Sequence, residues 1–281
     1  MPMKTILITN DPLLAAEAEH AGVSRIMVDL ESHGKQERQA SRITFISSHR
    51  PEDIAPVRAV LTQAELIVRI NPWHAGSPAE IAGAIEAGAD RIMLPMIEAW
   101  THIASFVAAL AGTGVRPFPL IETRYSMEHL EEIADLPGID EVFIGLNDLH
   151  LSLGLDFLFE PLAMGLVDRM AEQLRARGKP FGFGGIGAME GSGELPAESV
   201  LAEHVRLGSS CVILSSRFDK DIRRGEPEGR AKRLAEALQA LHNKHALLSQ
   251  RSAEATRADA AETADMIRQL AQTAKQRRAS S

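Results

Sequence analysis

The chain has 281 residues, 45% of them apolar, and a formal net charge of −8. That length supports one sizeable core, as a single α/β barrel or two small domains. The acidic balance, with no long Lys/Arg cluster before the last few residues, argues against nucleic-acid and anionic-membrane partners and points to small molecules.

In chain order, short runs rich in Ile, Val, Leu and Phe alternate with longer stretches of helical period, the pattern of a parallel sheet with crossover helices. The predicted strands are Thr5–Thr9, Arg25–Leu30, Leu66–Ile70, Arg91–Met96, Phe118–Glu122, Glu141–Leu146, Pro180–Gly184 and Cys211–Ser215. Between them, DPLLAAEAEHAG, PEDIAPVRAVLTQ, SPAEIAGAIEAGA, SMEHLEEIADL, EPLAMGLVDRMAEQLRARGK and PAESVLAEHVRLG read as helices, several opening on Asp, Ser or Pro and ending on Gly. Eight β-then-α units in about 220 residues, without a composition break, predict the α/β class and a closed (β/α)8 TIM barrel. An open doubly wound sheet is the alternative, but no Gly-x-Gly-x-x-Gly follows the first strand. GFGGIGAMEGSGELP, at the seventh strand, reads as an anion cradle, a mobile lid or a plain loop.

The barrel is expected over residues 1–225 and a helical extension over 226–281. In the last helix Ala260, Thr263, Met266, Ile267, Leu270 and Ala274 form a stripe that suggests contact with another subunit; a solvated helix fraying into a tail is the alternative. The single cysteine, Cys211, sits in an apolar run and reads as a buried structural thiol. No run reaches the roughly eighteen apolar residues of a membrane span. MPMKTILITN enters a strand without a signal-peptide cleavage pattern. These features predict a cytoplasmic chain with no membrane partner.

Side chains at the carboxyl ends of barrel strands face the active site. Those ends carry Asp29 and Glu31, Arg69 and Asn71, Glu98, Glu122, and Asn147 with Asp148. Charges that end apolar runs are costly unless paired or bound to a cation, so their convergence marks a candidate site. For each acid a helix cap or barrel-end salt bridge competes, most of all for Asp148, which precedes a possible helical turn. Carboxylates without His or Cys at ligand spacing favour hard cations, Mg²⁺ or Mn²⁺ over Zn²⁺. Such an ion leaves room for the carboxylate and keto oxygens of a 2-oxo acid, whose enolate it stabilises, with Arg69 able to pair with the same oxygen. No lysine falls on a predicted strand, which argues against imine chemistry.

VDLE, VRIN, GAIEAGADRIMLPM, PLIET and GIDEVFIGLNDLHLSLG, in this order, resemble the pyruvate-dependent class II aldolases of the 4-hydroxy-2-oxoheptanedioate and 2-dehydro-3-deoxyglucarate aldolase family, relatives of the citrate lyase β subunit. The resemblance spans about residues 5–220. It implies Glu122 and Asp148 as ligands of Mg²⁺ or Mn²⁺, and Arg69 on the keto or enolate oxygen. It also implies the Gly145-Leu146-Asn147-Asp148 turn as a source of backbone N–H groups for the substrate carboxylate, and a homo-oligomer, a trimer or hexamer that exchanges C-terminal helices. The chain departs from the aldolases' D-x-E-H: here Asp29-Leu30-Glu31-Ser32 is followed by His33, one place late. The expected activity is cleavage of a 4-hydroxy-2-oxo acid to pyruvate, or a close 2-oxo acid, and an aldehyde. His33 or a metal-held water would move the proton, oriented by Asp29 or Glu31. DLE followed by Lys35 and Arg38 also resembles the citrate and malyl-CoA lyase branch, so an acyl-CoA lyase is the second reading, and a non-catalytic 2-oxo acid binding protein the third.

Overall fold

Successive side chains of a strand point to opposite faces, so in a closed barrel every second residue enters the interior. A computed structural model describes residues 3–32, 48–191, 193–224 and 226–279. Eight strands, β1 (Lys4–Ile8), β2 (Arg25–Asp29), β3 (Glu65–Arg69), β4 (Arg91–Leu94), β5 (Arg116–Ile121), β6 (Val142–Ile144), β7 (Phe181–Ile186) and β8 (Cys211–Leu214), pair in parallel and in chain order into a closed barrel. This is the predicted (β/α)8 architecture.

Two apolar clusters follow from the alternation. Ile6, Met27, Ile67, Met93, Phe118, Leu120, Phe143 and Cys211 fill the barrel. Ile26, Val28, Leu66, Val68, Ile92, Leu94, Ile121 and Ile144 face outward to the helices. Along β2 the inward set reads Arg25, Met27, Asp29; along β3 it reads Glu65, Ile67, Arg69. Both of these rows are therefore apolar in the middle and charged at their ends.

The amino-terminal end is neutralised by pairing. Arg25, 1% exposed, donates to both Glu141 oxygens at 3.0 and 2.6 Å and to Glu65 at 2.7 Å. Arg91 grips Asp140 at 2.6 and 2.8 Å, and Arg116 also reaches Glu65. Both Arg25 and Arg91 lie over the Phe118 ring. Cys211 is wholly buried 3.6 Å from Arg25, and burial pushes its thiol up to about 12, so it remains a protonated packing group.

The outer helices start and stop where the chain chemistry demands. Asp11 accepts from the Leu13 N–H to cap helix Pro12–His20, and Gly208, at φ +70°, ends helix Ala197–Leu207. Two expected helices are broken. SMEHLEEIADL splits at His129, and EPLAMGLVDRMAEQLRARGK splits at Gly165, whose φ of +67° leaves the right-handed helix. Lys4 belongs to β1, one residue earlier than predicted, but it is exposed at the amino-terminal end, away from the candidate site.

Helices Arg230–Leu248 and Ala253–Ala279 bury Leu234, Leu238, Leu241, Ile267 and Ala271 in the same outer cluster as the barrel. Helix Ala253–Ala279, which carries the stripe read from the sequence, contacts this chain's helices Glu160–Ala163 and Ala197–Leu207. Among the described residues no helix is long and apolar enough to cross a membrane.

Replacing Arg25 with Met leaves Glu141 buried without its main partner. Urea denaturation is expected to show a loss on the order of 3–5 kcal/mol, and a change under about 1 kcal/mol would refute the pairing account. Burial alone would raise the Glu65 carboxyl, but Arg25, then Arg91 and Arg116, overcome it and hold it at about 2 rather than 4.5. A depressed carboxyl stabilises the fold above its ordinary value, and that contribution is lost as pH falls from about 4.5 to about 2. In Glu65→Gln this part of the acid denaturation profile is expected to flatten.

Candidate active site

At the carboxyl-terminal end the same inward rows bring together Asp29, Glu31, Arg69, Glu122 and Asp148. The four acids are 2%, 2%, 3% and 9% exposed, in that order. Arg69 lies across from Asp29 in the β2–β3 register and grips it with two bonds, from Nε at 2.8 Å and Nη2 at 2.7 Å. Its Nε also lies 3.5 Å from Glu31. Burial opposes the charge on Arg69, but Asp29 and then Glu31 outweigh it, so the guanidinium stays protonated. Nη1 makes no hydrogen bond to a described residue and is the open edge of the fork. Asp29 is thus the partner that aims Arg69, and it also accepts from the Glu31 N–H at 3.2 Å.

Glu122 follows the last residue of β5. Burial, then the negative charges of Asp148 and Glu31, push its carboxyl well above the usual carboxylate range, and Arg69 offsets this only in part. The carboxylate is held from two sides. Met96, at φ +49°, turns its N–H toward Glu122 Oε1 at 3.0 Å. Gly145 lies beneath: a Cβ there would stand 2.7 Å from Glu122 Oε2 and 2.9 Å from its Cβ. Only glycine leaves that space.

Asp148 is the third residue of the short helix Leu146–Ser152, whose cap position is Gly145. It is therefore not the helix cap that the sequence offered as an alternative. Its charge sits in the first turn, where the helix dipole favours an anion. The Gly145 N–H is spent on the Ile121 carbonyl at 3.0 Å, whereas those of Leu146 and Asn147, at the helix start, make no hydrogen bond to described residues. These two, rather than Gly145, are the donors the turn offers.

Glu98 is exposed and outside the cluster. Asn71 ties two loops together, accepting from the Ser32 N–H at 2.9 Å and donating to Glu80 at 2.8 Å. His33 lies outside the described residues. His49, which the sequence did not single out, accepts from the Asp29 N–H through Nδ1 at 3.0 Å. With Nδ1 accepting, a neutral His49 carries its proton on Nε2.

The donor set suits a hard divalent cation. Two buried carboxylates, Glu122 and Asp148, repel each other, and a cation between them replaces that repulsion with attraction. Among the described residues no three His, Cys, Asp or Glu side chains converge on one point. An ion here would complete its shell with water and substrate oxygens, as Mg²⁺ and Mn²⁺ do.

From Asn147, the residue before Asp148, across the ends of β7 and β8 opens a cavity of about 300 Å³. Phe157, Leu158, Phe159, Leu195 and Val200 form much of its wall, and Ser215, Ser216 and Arg217 stand along it. The glycines of GFGGIG serve packing and space. A Cβ at Gly182 would stand 2.7 Å from the Phe143 ring, and Gly187 borders the cavity. The lining is mixed: besides these apolar residues it carries Asn147, Glu194, Arg217 and Asp221.

A family model described as HpcH/HpaI aldolase/citrate lyase matches residues 6–160. The hydroxypyruvate/pyruvate aldolase of Rhizorhabdus wittichii is 29% identical over 48% of this chain and 66% of its own length. The 2-keto-3-deoxy-L-rhamnonate aldolase of Escherichia coli O1:K1 is 39% identical over 30% of this chain and 32% of its own. The matched stretches thus span less than two thirds of either relative. A crystal structure of an HpcH/HpaI aldolase/citrate lyase family protein from Burkholderia cenocepacia J2315 superposes with a TM-score of 0.61 at 20% identity, covering 85% of this chain and 93% of that one. With the matched residues running from β1 past Asp148, the chain belongs to the HpcH/HpaI aldolase/citrate lyase family.

Proposed function

We propose that this protein is a metal-dependent carbon–carbon lyase that cleaves a 4-hydroxy-2-oxo acid to pyruvate, or a close 2-oxo acid, and an aldehyde, and runs the reverse addition. The observation that carries this reading is the buried Glu122–Asp148 pair, whose mutual repulsion fits a divalent cation, beside the open edge of Arg69. The aldolases among its relatives and its family membership support it. Bound Mg²⁺ or Mn²⁺ supplies Lewis-acid polarisation of the 2-keto group. Glu122 and Asp148 hold the ion.

The chain's own residues then have separate tasks. Arg69, aimed by Asp29, directs Nη1 at the C2 oxygen, where negative charge builds up. The N–H groups of Leu146 and Asn147 meet the substrate carboxylate. The C4 hydroxyl loses its proton to His33 or to a water molecule. The C3–C4 bond breaks, its electron pair passing to the C2–C3 enolate, and C3 takes a proton back as pyruvate forms. His49 is assigned to positioning Asp29, whose N–H its Nδ1 accepts. A cytoplasmic homo-oligomer remains part of this reading.

Glu122→Gln and Asp148→Asn are expected to weaken Mn²⁺ binding by at least tenfold, about 1.4 kcal/mol, in calorimetric titration of chelator-stripped protein, and to lower cleavage about 100-fold or more. The metal-free Glu122→Gln chain is expected to melt a few degrees above metal-free wild type at pH 8, at roughly 2–4 °C per kcal/mol of relieved repulsion. Unchanged metal affinity in both variants would remove the site.

His33→Gln and His49→Gln separate the two imidazoles. With Mn²⁺ and a 4-hydroxy-2-oxo acid, His33→Gln is expected to lose the acid-side dependence of the cleavage rate on pH, the limb that reports a general base. His49→Gln is expected to keep that dependence and raise KM. The opposite assignment of profiles would exchange their roles.

A further inference from the structure

The residue after Glu122 does two jobs with one hydroxyl. Thr123, 3% exposed, caps helix Arg124–Glu128: its Oγ1 accepts from the Ser126 N–H at 3.0 Å, and Ser126 Oγ accepts from the Thr123 N–H at 3.1 Å. A cap needs only an acceptor, which aspartate supplies as well. Thr123 also has a proton to give, and it donates across to the loop after β4, to the Ile97 carbonyl at 2.5 Å. Ser126 Oγ lies farther off, at 2.9 Å, and gives its own proton to the Thr123 carbonyl. No backbone N–H of a described residue reaches the Ile97 carbonyl, and Ile97 is wholly buried, so the hydroxyl is the donor that oxygen requires.

Ile97 follows Met96, whose backbone stands at φ +49° and whose N–H meets Glu122 Oε1 at 3.0 Å. Two bonds thus run in opposite directions between two pairs of chain neighbours, Met96 to Glu122 and Thr123 to Ile97. They close a ring that ties the loop after β4 to the end of β5. Among the described residues Met96 alone of the non-glycines has a positive φ. A methionine Cβ crowds the backbone in that region, so the residue stays there only where its surroundings hold it. The bond to Ile97 restrains the next peptide group in the chain and is the hold nearest to Met96.

From this arrangement we infer that Thr123 is a positioning residue for the metal-ligand candidate Glu122: its hydroxyl holds the Met96–Ile97 segment in the conformation that puts the Met96 N–H on the carboxylate. It thereby fixes which way that carboxylate faces, Oε1 toward Met96 and Oε2 over Gly145. The inference rests on the reading of Glu122 as a metal ligand, and Thr123 itself touches neither ion nor substrate.

The test separates this clamp from the helix cap. Thr123→Val keeps the shape of the side chain without the hydroxyl, and Thr123→Ser keeps the hydroxyl. In calorimetric titration of the chelator-stripped full chain, Thr123→Val is expected to bind Mn²⁺ about tenfold more weakly and Thr123→Ser within about threefold of wild type, since partners behind a ligating carboxylate contribute roughly 10–100-fold. Glycine takes the left-handed region without being held there, so Thr123→Val made in a Met96→Gly background is expected to cost about threefold or less, although the cap is lost in both backgrounds. Amide exchange by NMR of the metal-free chain reads the clamp without any ion. The N–H of residue 96 is expected to be protected in wild type and Thr123→Ser, exposed in Thr123→Val, and protected again in Thr123→Val/Met96→Gly. Thr123→Ala gives the same comparison where valine at the cap prevents folding. An equal loss of Mn²⁺ affinity in both backgrounds assigns the hydroxyl to the cap and overturns the clamp, as does unchanged affinity in Thr123→Val with the residue 96 amide still protected. Wild type that binds no Mn²⁺ while showing the expected amide pattern overturns the metal reading of Glu122 alone.

Discussion

The two-residue alternation of a closed parallel barrel governs the rest of this molecule. Once β2, β3, β5 and β6 are in register, Arg25 and Asp29, Glu65 and Arg69, and Arg116 and Glu122 have no choice but to face the interior at opposite ends of the same rows. The apolar middle, from Met27 to Phe143, keeps the two charged layers apart. Neither can neutralise the other, so each end of the barrel must settle its own charge.

The two ends settle it differently. At the amino-terminal end three arginines face Glu65, Glu141 and Asp140, and the geometry is close and largely bidentate. At the other end, among the described residues, Arg69 lies with four buried acids and spends two of its donors on Asp29. Burial, with the charges of Asp148 and Glu31, pushes the Glu122 carboxyl up. Stability alone gives no reason for such a pair, since apolar residues in both positions would cost less to bury. The asymmetry separates the end that stabilises the barrel from the end that carries the candidate site, a division common to this fold.

Much of this is legible in the chain. Apolar runs such as RIMVDL and RIMLPM announce the strands because an interior strand has few other ways to be built, and the acids and arginine at their ends follow from the barrel rule. What escapes a reading of the sequence depends on geometry that spacing does not carry. His49 arrives at Asp29 from twenty residues away, and Asn71 works through Ser32 and Glu80. The stripe on the last helix is visible, but not which surface covers it, because a narrow row of small apolar residues fits the same chain or a neighbouring one equally well. The break at Gly165 in an otherwise continuous helical pattern is hidden because a glycine is tolerated inside a helix as well as at its end.

Met96 shows how far a constraint can lie from the side chain that bears it. Its thioether is neither a ligand nor part of the barrel interior, yet its backbone is held at φ +49° with the N–H on Glu122. Valine and isoleucine are shut out there by the strain of a branched side chain in the left-handed region, and proline by both its fixed φ and its missing hydrogen. Glycine and asparagine enter readily. Variation at this position is therefore filtered through the main chain, and a site whose residue identity looks loosely held in one chemical sense is tightly held in another.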